Sequence, residues 1–434
     1  MDLKIFDRME SEVRGYIRSF PVVFNKARGS ILTDEDGKEY IDFFSGAGTL
    51  NYGHNNPVLR DRLVEYLHSD GVVHGLDMAT SAKKYFLQTM DRVVLGPRGM
   101  DYVLQFTGPT GTNAVEAALK LARQVKGRSN VVSFTHGFHG VSGGSLANTA
   151  NRKFRQAAGV SLGNAAFMPY DGYMGPDLNT VDYLERMLAD TSSGLDHPAA
   201  VIVETVQGEG GVNVASHRWL RDLERVCREY DMLLIVDDIQ VGCGRTGSYF
   251  SFEAAGISPD IVTLSKSLSG FGLPMSLVLL KPELDVWKPG AHSGTFRGNN
   301  LAFITASQAL ETYWSDDSLS QDVAAKEQLV RDWLENLAHS YRGAGLSVRG
   351  RGLIQGLVMP SGDGLANQVS RRAFKEGVVI ETAGADDEVL KVLPALTIPK
   401  EQLIKGLEVI ERSAADVLAK SGRQAKVLNV AKRA

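Results

Sequence analysis

Apolar, β-branched runs alternate with helical patterns through the middle of this chain. Strands are predicted at 102–106, 131–134, 199–205, 232–237, 260–265 and 275–280. After the first of these strands, apolar positions recur at helical spacing and predict a helix over 113–126. An Asn113-x-x-Glu116 capping box is predicted at the start of this helix. This alternation predicts an α/β fold, with a mostly parallel sheet covered by helices on both faces.

Shorter elements are predicted on either side of this region. Residues 1–20 are predicted to be helical, and residues 30–44 to form a hairpin that turns at Asp36-Gly37. A long helix over 318–341 is followed by a shorter α/β pattern and, after about residue 420, by a polar, basic tail that is predicted to fray. We therefore predict an N-terminal segment (1–55) that joins a small domain, a large domain (56–318) and a C-terminal small α/β domain (319–434).

Composition narrows the class of protein. The net charge of −4 over 434 residues offers no basic surface for nucleic acid. Two cysteines, Cys227 and Cys243, cannot build a disulfide framework, and no uncharged apolar run approaches the ~18–20 residues of a membrane span. The first residues lack the apolar core of a signal peptide. The sequence thus predicts a cytoplasmic enzyme with small-molecule substrates, without nucleic-acid or membrane partners.

Two predicted strands lead directly into charged residues, Asp237 and Lys266. Strand ends are where open α/β sheets place their chemistry. Pyridoxal 5′-phosphate (PLP) needs both groups, because its aldehyde forms a Schiff base with a lysine and a carboxylate keeps its ring nitrogen protonated. A lone lysine is usually a solvated surface charge. The apolar strand before Lys266 instead indicates the desolvated amine that this chemistry requires.

Neighbouring positions supply the other groups that such a cofactor needs. The loop at 108–113 precedes a helix, so its backbone N–H groups form either an anion site or a simple turn. Phe138 is placed to stack on a ring, Ile239 to pack on it and Gln240 to hydrogen-bond a ring hydroxyl. Glu204 and Glu209 lie at a strand end and in a glycine loop, where they either orient groups in a site or face solvent.

Two other motifs point elsewhere and are rejected. His136 and His139 have a spacing found in zinc sites, but the surrounding glycines and the lack of nearby cysteine or glutamate ligands argue against zinc, and no metal is predicted. Residues 242–247 satisfy the G-x-G-x-x-G dinucleotide fingerprint. No strand runs straight into these glycines and no helix pattern follows, so nicotinamide binding is not expected.

Taken together, these segments resemble the class III, or ω-type, aminotransferases of PLP fold type I. The likeness covers nearly the whole chain. Its core is Leu-Ile-Val-Asp237-Asp-Ile-Gln240-x-Gly-x-Gly-Arg245-Thr-Gly followed by Pro259-Asp260-Ile-x-Thr-x-Ser-Lys266. Supporting motifs are Glu204-x-x-Gln207-Gly-Glu209-Gly-Gly and Gly294-Thr295-Phe-x-Gly298-Asn299. The resemblance implies a large domain with a mostly parallel seven-stranded sheet plus a smaller α/β domain.

The resemblance also assigns roles to residues. It makes Lys266 the Schiff-base lysine and proton shuttle, with Asp237 on the ring nitrogen. The other cofactor-binding residues that it implies are Gly111, Thr112, Phe138, Glu204, Ile239, Gln240 and, from the partner subunit, Thr295. That last role implies a homodimer with shared active sites, and a dimer of dimers is left open. Glu209 and Lys391 are assigned to substrate carboxylate binding.

Within the family, the closer likeness is to the ectoine-pathway branch, which moves an amino group from L-glutamate to L-aspartate 4-semialdehyde. The opening residues 6–14 and the stretch 43–54 carry it. Three departures stand out: Thr205 replaces a common proline, Lys391 replaces an arginine of many relatives, and Ala47 stands where ornithine-using relatives place a tyrosine. Other ω-aminotransferases (4-aminobutyrate or ornithine type), a mutase or racemase on this fold, and a non-catalytic PLP-binding regulator remain as alternatives.

Overall fold

The computed structural model describes residues 3–423. Its helices are α1 Lys4–Met9, α2 Tyr16–Ser19, α3 Ser45–Gly48, α4 Pro57–His68, α5 Ser81–Thr89, α6 Gly111–Lys126, α7 Gly143–Ala147, α8 Arg152–Gln156, α9 Thr180–Ala189, α10 His217–Glu229, α11 Asn300–Tyr313, α12 Ser318–Ser340, α13 Leu365–Lys375 and α14 Lys400–Lys420.

The strands are β1 Phe24–Arg28, β2 Ile31–Asp34, β3 Glu39–Asp42, β4 Val103–Phe106, β5 Val131–Phe134, β6 Ala165–Met168, β7 Ala200–Val203, β8 Val206–Gln207, β9 Asn213–Val214, β10 Leu233–Asp237, β11 Ile261–Leu264, β12 Leu277–Leu280, β13 Ser347–Arg351, β14 Ile354–Val358, β15 Val378–Val379, β16 Glu381–Ala383 and β17 Val389–Val392.

The central sheet has the predicted composition. Within the described residues it contains seven strands in the order β4-β12-β11-β10-β7-β5-β6, and only β12 runs antiparallel to its neighbours. Most of its strands are buried along their whole length, as a sheet with helices on both faces requires. The predicted fold class is therefore confirmed, and the carboxyl ends of the parallel strands lie along one edge.

Two smaller four-stranded sheets flank the central one. The first has the order β1-β2-β3-β15, so the predicted hairpin pairs with a strand from the C-terminal part of the chain. The second has the order β13-β14-β17-β16. The parallel β3–β15 pairing supports an N-terminal segment that joins the small domain, although the boundaries at 55 and 318 stay a prediction.

Some local predictions are wrong. The strand β6 was not predicted, and the helix over 1–20 is two short helices. The capping box of α6 is Thr110 with Asn113, not Asn113 with Glu116. The Glu116 carboxylate instead accepts hydrogen bonds from Ser142 Oγ (3.1 Å) and Ser145 N (3.0 Å), because it faces the loop packed against α6. The predicted fraying of the tail falls, beyond residue 423, outside the described residues. Within those residues, no helix is long and apolar enough to cross a bilayer.

Candidate active site

Asp237 and Lys266 meet at the edge of the central sheet. Asp237 ends β10, and its register partner on the adjacent parallel strand β11 is Thr263, three residues before Lys266. A cavity of about 160 Å³ opens between them. It is lined by every predicted site residue except Thr295 and Lys391, namely Gly111, Thr112, Phe138, Glu204, Glu209, Asp237, Ile239, Gln240 and Lys266.

The carboxylate of Asp237 is buried and held at both oxygens. His139 Nδ1 lies 2.7 Å from Oδ2, and Thr263 Oγ1 donates to Oδ1 at 3.1 Å. The sequence indicates only a metal-ligand role for His139, and that role is rejected above. The available signal for this hydrogen bond was the position of His139 beside Phe138, in the loop after a buried strand. An imidazole that is buried there needs a polar partner. His136 faces the Tyr173 ring instead, so the two histidines do not form a pair.

Lys266 begins a short 3₁₀ turn with a left-handed backbone (φ 48°), a conformation that a lysine rarely adopts. Such strain persists where surrounding structure imposes it, which is most often at functional sites. Here Ser267 Oγ donates to Gly48 O at 2.6 Å and helps to fix the turn. Burial lowers the pKa of Lys266, so its amine carries a proton less readily than an exposed lysine does.

Gly111 and Thr112 at the start of α6, together with Gly140 from the loop packed beside it, line the cavity. A Cβ added at Gly140 would lie 2.6 Å from Thr112 Oγ1, and one added at Gly111 would lie 3.0 Å from Ile239 Cδ1. The Thr112 hydroxyl also contacts Ser142 Oγ and Ser145 Oγ at 2.6 and 2.5 Å. The helix N–H groups and the hydroxyls can donate hydrogen bonds to a phosphate, and the glycines present no side chains that would block it.

Glu204 supports the loop that carries Phe138. Its Oε2 accepts a hydrogen bond from Phe138 N at 2.9 Å. Burial, and then the neighbouring charge of Asp237, raises the pKa of Glu204 well above its ordinary value. Glu204 therefore ionises less readily than an exposed glutamate does.

Lys391 lies beside the cavity in a cluster of charges. Its side chain is fully buried, with Nζ 2.8 Å from Glu209 Oε1 and 3.0 Å from Glu381 Oε1. Burial acts to lower the pKa of Lys391, but the two carboxylates outweigh it and raise this pKa. Gln240 Nε2 donates to Glu209 Oε1 at 2.9 Å and to Ala47 O at 3.0 Å. Glu381 was not predicted, since it lies ten residues from Lys391 and meets it only across a hairpin.

The rejected dinucleotide motif has a structural role. Residues 242–247 form turns, not a strand-to-helix junction. Arg245 within them is fully buried, and its guanidinium donates to Leu353 O, Pro394 O and Asn51 Oδ1. It therefore joins the loop after Asp237 to segments from both ends of the chain.

These residues fit PLP. A desolvated lysine, a buried carboxylate on the adjacent strand and glycines beside the start of a helix all line one cavity. Thr295 is exposed in the loop before α11 and does not line this cavity.

Comparison with known proteins agrees with this geometry. The family model of class III aminotransferases matches residues 14–413. The chain belongs to the class III aminotransferases. Members of this family use PLP, so the predicted cofactor and family are both confirmed.

Several class III aminotransferases are similar over their full length. Diaminobutyrate–2-oxoglutarate transaminase of Bordetella parapertussis is 78% identical over 99% of this chain and 98% of its own. The transaminase of the same name from Halomonas elongata is 59% identical over 95% and 99%. Ornithine aminotransferase of Toxoplasma gondii, whose structure has partial occupancy of PLP at the active site, superposes with a TM-score of 0.82 at 26% identity, over 97% of this chain and 95% of that one.

Proposed function

We propose that this chain transfers the amino group of L-glutamate to L-aspartate 4-semialdehyde, giving L-2,4-diaminobutyrate and 2-oxoglutarate. This is the first step of ectoine synthesis from the semialdehyde. The observation that carries the proposal is the 78% identity, over nearly the full length of both chains, to diaminobutyrate–2-oxoglutarate transaminase. The cavity with Lys266 and Asp237 supplies the machinery that amine transfer requires.

In this proposal, each residue of the cavity has a part. PLP, when bound, withdraws electrons from the substrate carbon that loses its proton. Lys266 would bind the cofactor, and its lowered pKa keeps the freed amine unprotonated and so available to accept that proton at Nζ. Asp237, held by His139 and Thr263, keeps the ring nitrogen positively charged.

The remaining residues position and enclose the reactants. Gly111 and Thr112 hold the phosphate, while Phe138 and Ile239 enclose the ring. Glu204 fixes the Phe138 loop, and Gln240 contacts the ring hydroxyl. Lys391, paired with Glu209, serves to bind a substrate carboxylate.

Single half-reactions test the proposal. The purified holoenzyme is mixed with one amine and no acceptor, and the loss of the yellow PLP colour is followed. We expect L-glutamate and L-2,4-diaminobutyrate to bleach it, and ornithine and 4-aminobutyrate to react far more slowly, because Ala47 replaces the tyrosine of ornithine-using relatives. Steady-state kinetics should be ping-pong. Fast bleaching by ornithine or 4-aminobutyrate and none by diaminobutyrate would replace this function with that of another ω-aminotransferase.

We further propose that the enzyme is a homodimer in which Thr295 reaches the phosphate site of the other subunit. One surface combines exposed apolar residues of 72–78 with the loop before α11. Val72, Val73, Leu76, Met78 and Phe296 are each 42–65% exposed, which is a large apolar area for an isolated subunit. Arg297 pairs with Asp77, so loop and segment are held together.

Replacing Phe296 with aspartate should break this assembly, because a buried carboxylate would face apolar residues. Light scattering should give about twice 47.1 kDa for the unmodified protein and a subunit mass for the variant. Val160→Asp, at a 71% exposed apolar position elsewhere, is the control and should stay dimeric. A subunit mass for the unmodified holoenzyme would contradict the proposal.

A further inference from the structure

The backbone at Lys266 is strained, and contacts from elsewhere in the chain must maintain that strain. Lys266 has a φ of 48°, in the left-handed region that residues with a Cβ rarely adopt. Its side chain lines the cavity, so the direction in which Nζ points depends on this backbone conformation. Such a conformation persists only where the surrounding structure imposes it. The contacts of the turn that begins at Lys266 therefore bear on the chemistry of the site.

The hydroxyl groups of Ser267 and Thr305 hold this turn. Ser267 Oγ donates a hydrogen bond to Gly48 O at 2.6 Å, and these two residues are 219 positions apart in the chain. Thr305 Oγ1, on α11, donates to Ser269 O at 2.7 Å. Ser267 and Ser269 are both buried, so the loss of either bond would leave a polar group without a ready substitute from water. The bond made by Ser267 is the one directly beside Lys266.

The acceptor of the Ser267 hydrogen bond lies in a second strained segment, α3. All four residues of α3 have positive φ, from 49° at Ser45 to 85° at Gly48, so this element is a left-handed turn. Glycine adopts that conformation readily, but Ser45 and Ala47 do not. The start of α3 is fixed because Ser45 N donates to the buried carboxylate of Asp42 at 2.8 Å.

Consecutive carbonyl groups of α3 support two residues of the cavity. Ala47 O accepts a hydrogen bond from Gln240 Nε2 at 3.0 Å, and Gly48 O accepts the one from Ser267. Gln240 and Lys266 both line the cavity, whereas Ser267 does not. Ser267 is thus the side chain that joins α3 to the backbone of Lys266.

We propose that Ser267 is a positioning residue for Lys266. Its hydrogen bond to Gly48 O keeps the backbone of Lys266 left-handed and thereby directs Nζ toward the cofactor aldehyde and, later, toward the substrate proton. The inference deepens the proposed function and rests on it, because it takes Lys266 as the residue that binds PLP. Since Ser267 does not line the cavity, it acts only through Lys266.

Circular dichroism of the bound cofactor tests this without any substrate. A Schiff base that an asymmetric site holds in one orientation gives the yellow PLP band a dichroic signal. A less restrained Lys266 weakens this signal, because the Schiff base then adopts several orientations. We expect the Ser267→Ala holoenzyme to lose most of the signal per bound PLP. Ser267→Thr, which keeps the hydroxyl, should retain most of it.

The half-reaction with L-glutamate gives a second readout. The S267A variant should lower the limiting rate about 10- to 100-fold, since a displacement of about 1 Å at a reacting group costs about 10²-fold. The glutamate concentration that gives half of this rate should change less than about threefold, because Ser267 makes no contact with the substrate. A general loss of active-site structure would change both quantities.

Ser370→Ala is the matched control. Ser370 is also buried, and it donates its hydroxyl to a carbonyl outside its own helix, Ile380 O, at 2.5 Å, away from the cavity. Each alanine variant therefore loses one buried hydroxyl hydrogen bond, and the two should unfold at similar temperatures. S370A should keep both the dichroic signal and the limiting rate of the unmodified enzyme.

The inference is overturned if S267A leaves the dichroism and the limiting rate unchanged, if S370A loses as much as S267A, or if S267T is as impaired as S267A. Borohydride reduction of the unmodified holoenzyme, followed by peptide mass analysis, identifies the lysine that carries PLP. Attachment to another lysine would overturn the proposed site and this inference together. Attachment at Lys266 with an unaffected S267A would overturn this inference alone. If L-2,4-diaminobutyrate does not react, the proposed substrate fails, and the dichroism still decides the role of Ser267.

Discussion

Replacing Lys266 with alanine is expected to lower kcat for transfer from L-glutamate by at least about 10⁴-fold. The variant loses both the covalent attachment of PLP and the amine that accepts the substrate proton, and proton transfer alone is worth about 10²- to 10⁴-fold. No other lysine lines the cavity in the described residues, so no neighbouring amine can take over. Initial rates of 2-oxoglutarate formation measure the effect.

Lys281→Ala is the control for this change. Lys281 follows a strand of the same sheet and pairs with Asp260 at 3.0 Å, away from the cavity. Its variant should keep kcat within about twofold. Turnover by K266A within tenfold of the unmodified enzyme would remove Lys266 from the mechanism.

Replacing Asp237 with asparagine is expected to lower kcat by about 10²- to 10³-fold, the range found when a preorganised electrostatic group is removed from an active site. Asparagine keeps the size of the side chain and can still accept from Thr263, so folding should survive. It cannot hold a positive charge on the ring nitrogen. PLP should therefore still bind, as a spectroscopic titration would show, while the rate falls.

Asp238→Asn provides a closely matched comparison. Asp238 is the next residue and is also buried, but it does not line the cavity and its Oδ2 accepts from Ser251 N at 3.1 Å. Burial already raises the pKa of Asp238 to about 7, so a neutral amide should be tolerated there. Equal losses in the two variants would mean that the effect of D237N is structural.

The sheet was largely predictable because its strands are short, apolar and β-branched. Runs such as Ala200–Val203 and Leu233–Asp237 must be buried on both faces, which gives them a continuous apolar pattern. Ala165–Met168 escaped prediction because it contains no β-branched residue, and only its pairing with β5 makes it a strand. The start of α6 was misplaced because Thr110 and Asn113 are both of residue types that cap helices. The sequence alone does not show which of the two is the cap.

The site was predictable where chemistry and local pattern coincide. Asp237 and Lys266 stand directly after apolar runs, so position along the chain sufficed. His139 and Glu381 have no such local sign. Their roles depend on contacts across 98 residues, to Asp237, and across a β-hairpin, to Lys391. Hydrogen bonds of this kind are decided by tertiary packing, and a single sequence does not encode them visibly.

The buried guanidinium of Arg245 has a consequence for the order of events during synthesis. Its three acceptors belong to Asn51, Leu353 and Pro394, so the loop that follows Asp237 can be completed only when residues from both ends of the chain are present. A nascent chain that has emerged only as far as residue 318 already contains Asp237 and Lys266, yet it still leaves this cation without two of its partners. The buried surroundings of this guanidinium are therefore complete only after synthesis has passed Pro394.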